Sequence, residues 1–358
     1  IVLPDGMSVG RIDLSKSHNF LILELRDSQQ VSRRKKEPEK KPDKSFELEL
    51  WTWNEMEVPT LQRDGRYRQD KSVTYIYDIF SKKLTEVAPF TVDLLLPSGA
   101  ENLNYVLYTD ESPYKMQREW LDRLPFDIYS VNVHTGAKRL IGRSYRTAPK
   151  WSVNGKWAVM YDPIAQVWNK FDGATGKVVN ISDAIGYPMF VESYDKPAPA
   201  PAYGIAGWTA DGNNVFLYDA YDWWKIDLTG ERQPECLTKG YGRKHGKSIR
   251  KMTSNIDKDV FQKDEKVIVS LWDKDTMDEG VYQLDMKGRL RKLMEGNYVY
   301  TIHRFSDNHE YCVWNRQNVS EFRDLWWSKS DFSNSVKVTN ANPQQADYKW
   351  GTVKPVSY

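Results

Sequence analysis

The sequence has little cysteine, little histidine and no long apolar run. Two cysteines, Cys236 and Cys312, among 358 residues exclude a disulfide-rich scaffold and leave room for one bridge at most. Two buried free thiols are expected. Apolar runs such as Leu94-Leu95-Leu96 are brief, far below the roughly 18 residues that a membrane-spanning helix needs, so no membrane span is expected. The five histidines, His18, His134, His245, His303 and His309, never pair at the i, i+4 spacing of a helical zinc site. No metal site and no cofactor is expected. The chain also opens at Ile1 with neither an initiator Met nor an apolar leader, and it reads as a piece of something longer.

Charge of one sign is scarce too, with 51 basic against 49 acidic residues and a net +2. The exception is Arg33 to Lys44 (RRKKEPEKKPDK), with seven basic and three acidic residues. A nucleic-acid binder spreads Lys and Arg over a folded face, whereas this run is polar and punctuated by proline. It is expected to be a mobile loop, and no nucleic-acid partner is expected.

What the sequence has in quantity is aromatic residues, 14 Trp and 21 Tyr among them, which suit the half-buried pleated surface of strands. A strand-turn-strand unit recurs. Its clearest copy is Tyr203 to Thr238, where Asp211-Gly212 and Thr229-Gly230 break three alternating apolar runs into consecutive hairpins. Ala148 to Ser182 repeats the layout, with weaker copies at about 90–140, 249–293 and 298–339, and a sixth at 9–87 split by the charged insertion. The turn glycines Gly136, Gly176, Gly230 and Gly288 keep the spacing of four-stranded propeller blades. Helix signals are nearly absent, the best being Tyr114 to Leu124 inside a loop. The expected fold class is all-β: a β-propeller of four-stranded antiparallel blades, about six to eight of them, with an incomplete N-terminal blade as one alternative. The propeller is expected over 1–340 with the insertion at about 27–71. An exit segment, 341–358, follows the Asn340-to-Gln345 break and includes a strand-like run from Tyr348.

Three stretches invite a chemical reading. Gly6-Met7-Ser8-Val9-Gly10 matches the G-x-S-x-G nucleophile elbow, but only five residues precede it and the following residues alternate like strands, where the elbow needs a strand before and a helix after. No catalytic residue is assigned. Glu55 and Glu57 would share one face of an extended segment beside Trp51 and Trp53, and paired carboxylates can hold a substrate ammonium; alternatively they cover a solvated strand face. The tract Tyr218 to Asp227 (YDAYDWWKID) places aspartates where they are expected to brace backbone groups.

At this tract the sequence resembles the propeller of prolyl-oligopeptidase-type (S9) serine peptidases, in the branch of large enzymes found in Bacteroidetes. The resemblance rests on Gly204-Ile205-Ala206-Gly207-Trp208, on Tyr218-Asp219, Tyr221-Asp222 and Trp224-Lys225-Ile226-Asp227, and on Trp51-Thr52-Trp53 followed by Leu61-Gln62. Trp151 to Lys156 also resembles the WD40-like turn of TolB-type propellers. The resemblance spans about Ser45 to Tyr358. It implies a non-catalytic lid that gates short peptides into a C-terminal α/β-hydrolase domain of the same parent chain, in a periplasmic or secreted serine peptidase. No triad residue carries over, because Val9 and the position of Ser8 depart from the family's elbow. Some dipeptidyl-peptidase relatives hold the substrate amine with two propeller glutamates, whose motif Glu55-Met56-Glu57 does not reproduce residue by residue. The alternative is a stand-alone TolB-like propeller that binds protein partners.

Overall fold

The structure is a computed structural model describing residues 1–15, 18–27, 52–55, 72–89, 93–95, 104–252 and 259–356. It contains 47% strand and 5% helix. The charged insertion from 28 to 51 and from 56 to 71, which includes the Arg33-to-Lys44 run, lies outside the described residues, as does Glu57.

Six successive sheets follow the chain. The first comprises Met7–Leu14, Phe20–Asp27, Ser72–Asp78 and Lys83–Ala88; the second, Asp93–Leu95, Tyr105–Asp110, Phe126–Asn132 and Lys138–Tyr145; the third, Lys150–Trp151, Trp157–Asp162, Val167–Asp172 and Val178–Asn180. The fourth holds Ile205–Thr209, Asn214–Tyr218, Trp223–Asp227 and Glu235–Cys236, with Val260–Phe261 added in parallel to its first strand. The fifth holds Lys247–Lys251, Lys266–Asp273, Glu279–Asp285 and Leu290–Gly296, and the sixth Val299–Phe305, Tyr311–Gln317, Asp324–Lys329 and Val336–Lys337. The consecutive strands of each sheet are paired antiparallel in sequence order. The chain divides into two compact units, 1–180 and 181–358, each with three such sheets.

The second strands explain why the sheets stack. Tyr105–Asp110, Trp157–Asp162 and Asn214–Tyr218 are buried on both faces, the condition under which a strand reads as a continuous apolar run. Alternate side chains then serve different neighbours. Val106 and Tyr108 join a cluster with Phe20 and Ile76 of the first sheet, while Leu107 joins Ala158, Met160 and Phe171 of the third. In the second unit the third strand of the fifth sheet, Glu279–Asp285, does the same: Tyr282 and Leu284 pack toward Phe216 and Trp223, while Val281 packs with Tyr300 and Trp314. Face-to-face packing of successive four-stranded meanders is the blade construction of a β-propeller, with six blades among the described residues.

The turns are built locally. Asp162, Asp172, Asp227 and Asp273 each accept backbone N–H groups from residues two and three, or two and further, along the chain, the Asx arrangement that closes a tight turn. The four glycines singled out by spacing have φ of 68° to 86°. Gly288 is the most constrained, because at φ +80° a Cβ would run into the carbonyl oxygen of Leu237 in the neighbouring sheet. Gly288→Ala should therefore cost about 2–4 kcal/mol through left-handed strain and a backbone collision, read as a lowered denaturation midpoint. A loss below about 1 kcal/mol would show that this turn does not pin the two sheets together.

Two expectations need correction. The run from Tyr348 forms no strand through Val356; a 3-10 turn at Pro343–Asp347 precedes it, and among the described residues no strand pairs with it. The best helical candidate, Tyr114 to Leu124, is reduced to a 3-10 turn at Ser112–Gln117, in the loop where it was expected.

Candidate functional site

The richest polar constellation grows from the Tyr218-to-Asp227 tract, at the turn joining the second and third strands of the fourth sheet. Asp219 is fully buried. Its Oδ1 accepts the backbone N–H groups of Tyr221 (2.7 Å) and Asp222 (2.6 Å), and its Oδ2 accepts from Trp224 Nε1 and Arg243 Nη2, both at 3.1 Å. Asp222 is also buried. It accepts from Thr238 Oγ1 (2.6 Å) and from the backbone N–H groups of Gly242 (2.9 Å) and Arg243 (3.0 Å). The latter two belong to the single helical turn Tyr241–Lys244, whose first amides have no partner inside so short a helix. The aspartates thus brace backbone groups, as the tract itself suggested.

Two arginines complete the cluster. Arg243 lies over the rings of Tyr187 (3.9 Å to the centroid) and Tyr221 (4.9 Å), with its side chain 30% exposed. Arg250 donates to the carbonyls of Asp219 (2.7 Å) and Ala220 (3.2 Å) and lies over Tyr218 and Tyr203. Burial pulls its pKa below the ordinary arginine value, against the opposing pull of Tyr218 and Asp219. Lys274 adds a third cation, 3.9 Å from the centroid of Tyr221. Stacking of this kind suits guanidinium and ammonium groups. Chemically, the cluster can order the hairpin and present a cationic, aromatic surface through Arg243, Lys274 and the 45%-exposed Tyr187. Its one hydroxyl held by a carboxylate, Thr238, is buried and is a structural donor.

The other sequence candidates lie elsewhere. Ser8 sits inside the edge strand Met7–Leu14, paired with Arg26, and its Oγ donates to the Arg26 carbonyl at 3.2 Å; a strand residue bonded this way is not at a strand-to-helix elbow. Glu55 lies in a turn, where its Oε1 accepts from Thr52 N (3.2 Å) and Thr52 Oγ1 (3.3 Å), beside a 93%-exposed Trp53. The extended face that would align it with Glu57 is not formed over 52–55. His18 and His134 occupy turns, and His303 bonds Asn315 at 2.7 Å. Both cysteines are free thiols, Cys312 buried and Cys236 half-buried, and burial pushes each thiol's pKa up. No group of three metal-ligating side chains occurs among the described residues, and no described helix is long and apolar enough to cross a membrane.

Sequence reasoning missed Arg243, Arg250 and Tyr187. They stand 21 or more residues from the aspartates and carry no local pattern that joins them to the tract.

No protein-family model matches the chain, and no curated protein matches it. Among solved structures it is similar to dipeptidyl peptidase 4 of Porphyromonas gingivalis, at 10% identity over 95% of this chain and 53% of that one, with a TM-score of 0.42. It is similar to the acylaminoacyl peptidase of Pyrococcus horikoshii at 9% identity over 95% and 46%, with a TM-score of 0.34. TolB from Acinetobacter baumannii is similar at 14% identity over 91% and 78%, also with a TM-score of 0.34. Superpositions this loose carry no argument about activity or ligand. The chain spans about half the length of the two peptidases.

Proposed function

We propose that this chain is the non-catalytic propeller part of a prolyl-oligopeptidase-like serine peptidase, where it limits which peptides reach a C-terminal α/β-hydrolase domain of the same parent protein. The observation that carries this reading is the fourth blade. The segment whose sequence resembles that family, Gly204 to Asp227, is also the segment whose buried Asp219 and Asp222, held by Arg243 and Arg250 from farther along the chain, rigidify the turn between its central strands. A blade stiffened in this way suits a wall that admits extended peptides and excludes folded ones. In this reading the parent is periplasmic or secreted, and Glu55 and Glu57 are the candidate ligands of a substrate ammonium.

Nucleophilic catalysis needs a serine beside an oriented base and an oxyanion hole, and among the described residues Ser8 has neither, its Oγ bonding the Arg26 carbonyl within its strand pair. The 1–358 chain should neither hydrolyse peptides nor label with a fluorophosphonate. The protein carrying a further ~250–300 residues after Tyr358, one hydrolase domain's worth, should label and should cleave short peptides faster than a folded protein. Equal cleavage of both would defeat gating. No labelling would point to a stand-alone, TolB-like binding propeller, and labelling of 1–358 that vanishes with Ser8→Ala would overturn the assignment of chemistry to another domain.

A further inference from the structure

A second feature of unit 181–358 lies away from the Asp219 cluster. Between the fourth and fifth sheets is a cavity of about 510 Å³, within the range of sites that hold small molecules. Phe216 and Phe261, both almost fully buried, close its floor. Four cationic side chains line it, each brought by a different part of the fold: Lys225 from the third strand of the fourth sheet, Arg232 from the turn after it, Lys263 from the segment after Val260–Phe261, and Lys287 from the last turn of the fifth sheet.

Only one carboxylate, Asp211, lines the same cavity, and it is already committed. It accepts from Thr209 Oγ1 at 2.5 Å, from Asn213 N at 2.9 Å and from Asn213 Nδ2 at 3.3 Å. Burial alone would raise its pKa, but these bonds and the charge of Lys225 hold it below the ordinary carboxylate value. Among the described residues, Arg232, Lys263 and Lys287 make no ion pair within 4.0 Å. Like charges converging on one concavity repel one another, and the repulsion is relieved when a multiply charged anion enters.

We propose that this cavity binds a small phosphate-bearing molecule, with Lys225, Arg232, Lys263 and Lys287 as its charge ligands. Three ammonium groups and one guanidinium favour phosphate over carboxylate. Ammonium groups act as point charges that can meet oxygens spread tetrahedrally, whereas a planar carboxylate is matched best by the fork of an arginine. The site is a half-open concavity in which the four cations converge and do not form a stripe, so it selects a small molecule over a nucleic-acid backbone. This inference stands on unit 181–358 alone and does not depend on the peptidase reading.

Isothermal titration of the 1–358 chain with inorganic pyrophosphate at low salt tests it, with citrate as a carboxylate comparator of similar charge. One saturable pyrophosphate site per chain is expected, tighter than citrate and weakened by added salt. Lys263→Ala/Lys287→Ala should weaken it about tenfold, the scale of two exposed charge contacts, with an unchanged circular dichroism spectrum and melting temperature. The control Lys349→Ala/Lys354→Ala, which removes the same charge from the C-terminal segment, should change it less than about twofold. The proposal is overturned by absence of saturable pyrophosphate binding, by citrate binding as tightly, or by equal losses in the two double variants.

Discussion

Replacing Trp223 with alanine should destabilise the second unit by about 3–5 kcal/mol, the usual cost of truncating a large aromatic side chain in a core that cannot collapse around the gap. Trp223 is fully buried. Its ring meets Tyr218 edge-on at 5.3 Å and lies 6.1 Å from Phe261 and 6.3 Å from Phe216. These partners come from two strands, Asn214–Tyr218 and the parallel addition Val260–Phe261, so none can close on the cavity without breaking its own ladder. The indole Nε1 also donates to the Ile249 carbonyl at 3.2 Å, tying the fourth sheet to the first strand of the fifth. Trp223→Phe keeps most of the apolar area and loses that bond, and should cost about 1–2 kcal/mol. Denaturant titration followed by circular dichroism reads both. A Trp223→Ala loss no larger than that of Trp223→Phe would mean that the hydrogen bond, and not the packing, joins the two sheets.

Removing the Asp222 carboxylate should cost a similar amount for a different reason. Asp222→Ala strands three buried or half-buried donors, the Thr238 hydroxyl and the amides of Gly242 and Arg243. Each loses its partner where water has little access, at about 1–3 kcal/mol per orphaned group, with some relief as the helical turn frays. The expected total is about 3–5 kcal/mol. Gly242 limits that relief, because a Cβ there would lie 2.6 Å from the Tyr221 carbonyl oxygen and 2.7 Å from that of Lys247, so the backbone is tightly confined. Hydrogen exchange should show faster exchange at Gly242 and Arg243 before any other change in the fourth sheet. Exchange unchanged at those two amides would show that the turn Tyr241–Lys244 is held by packing alone.

What this sequence determined by itself was local. The β class, the succession of six strand repeats and the turns at Gly136, Gly176, Gly230 and Gly288 were legible because an Asx turn with a left-handed glycine is decided within about five residues. Asp219 was legible as a brace for the same reason, since it bonds amides only two and three residues ahead, whereas the partners of Asp222 lie 16 to 21 residues away. Short closing strands such as Glu235–Cys236 were not, because two residues cannot display alternation. Glu55 and Glu57 were read on the assumption of an extended backbone; the bonds from Thr52 to Glu55 make a turn of 52–55, and Glu57 lies outside the described residues. Only the tertiary structure set Arg243 over Tyr187, capped the helical turn at Tyr241 with Asp222, and drew Lys225, Arg232, Lys263 and Lys287 to one cavity. Apart from Lys225 and Arg232, those partners are separated by about 20 to 60 residues, and their meeting depends on how one meander packs on the next, a relation that carries no periodic trace in the chain.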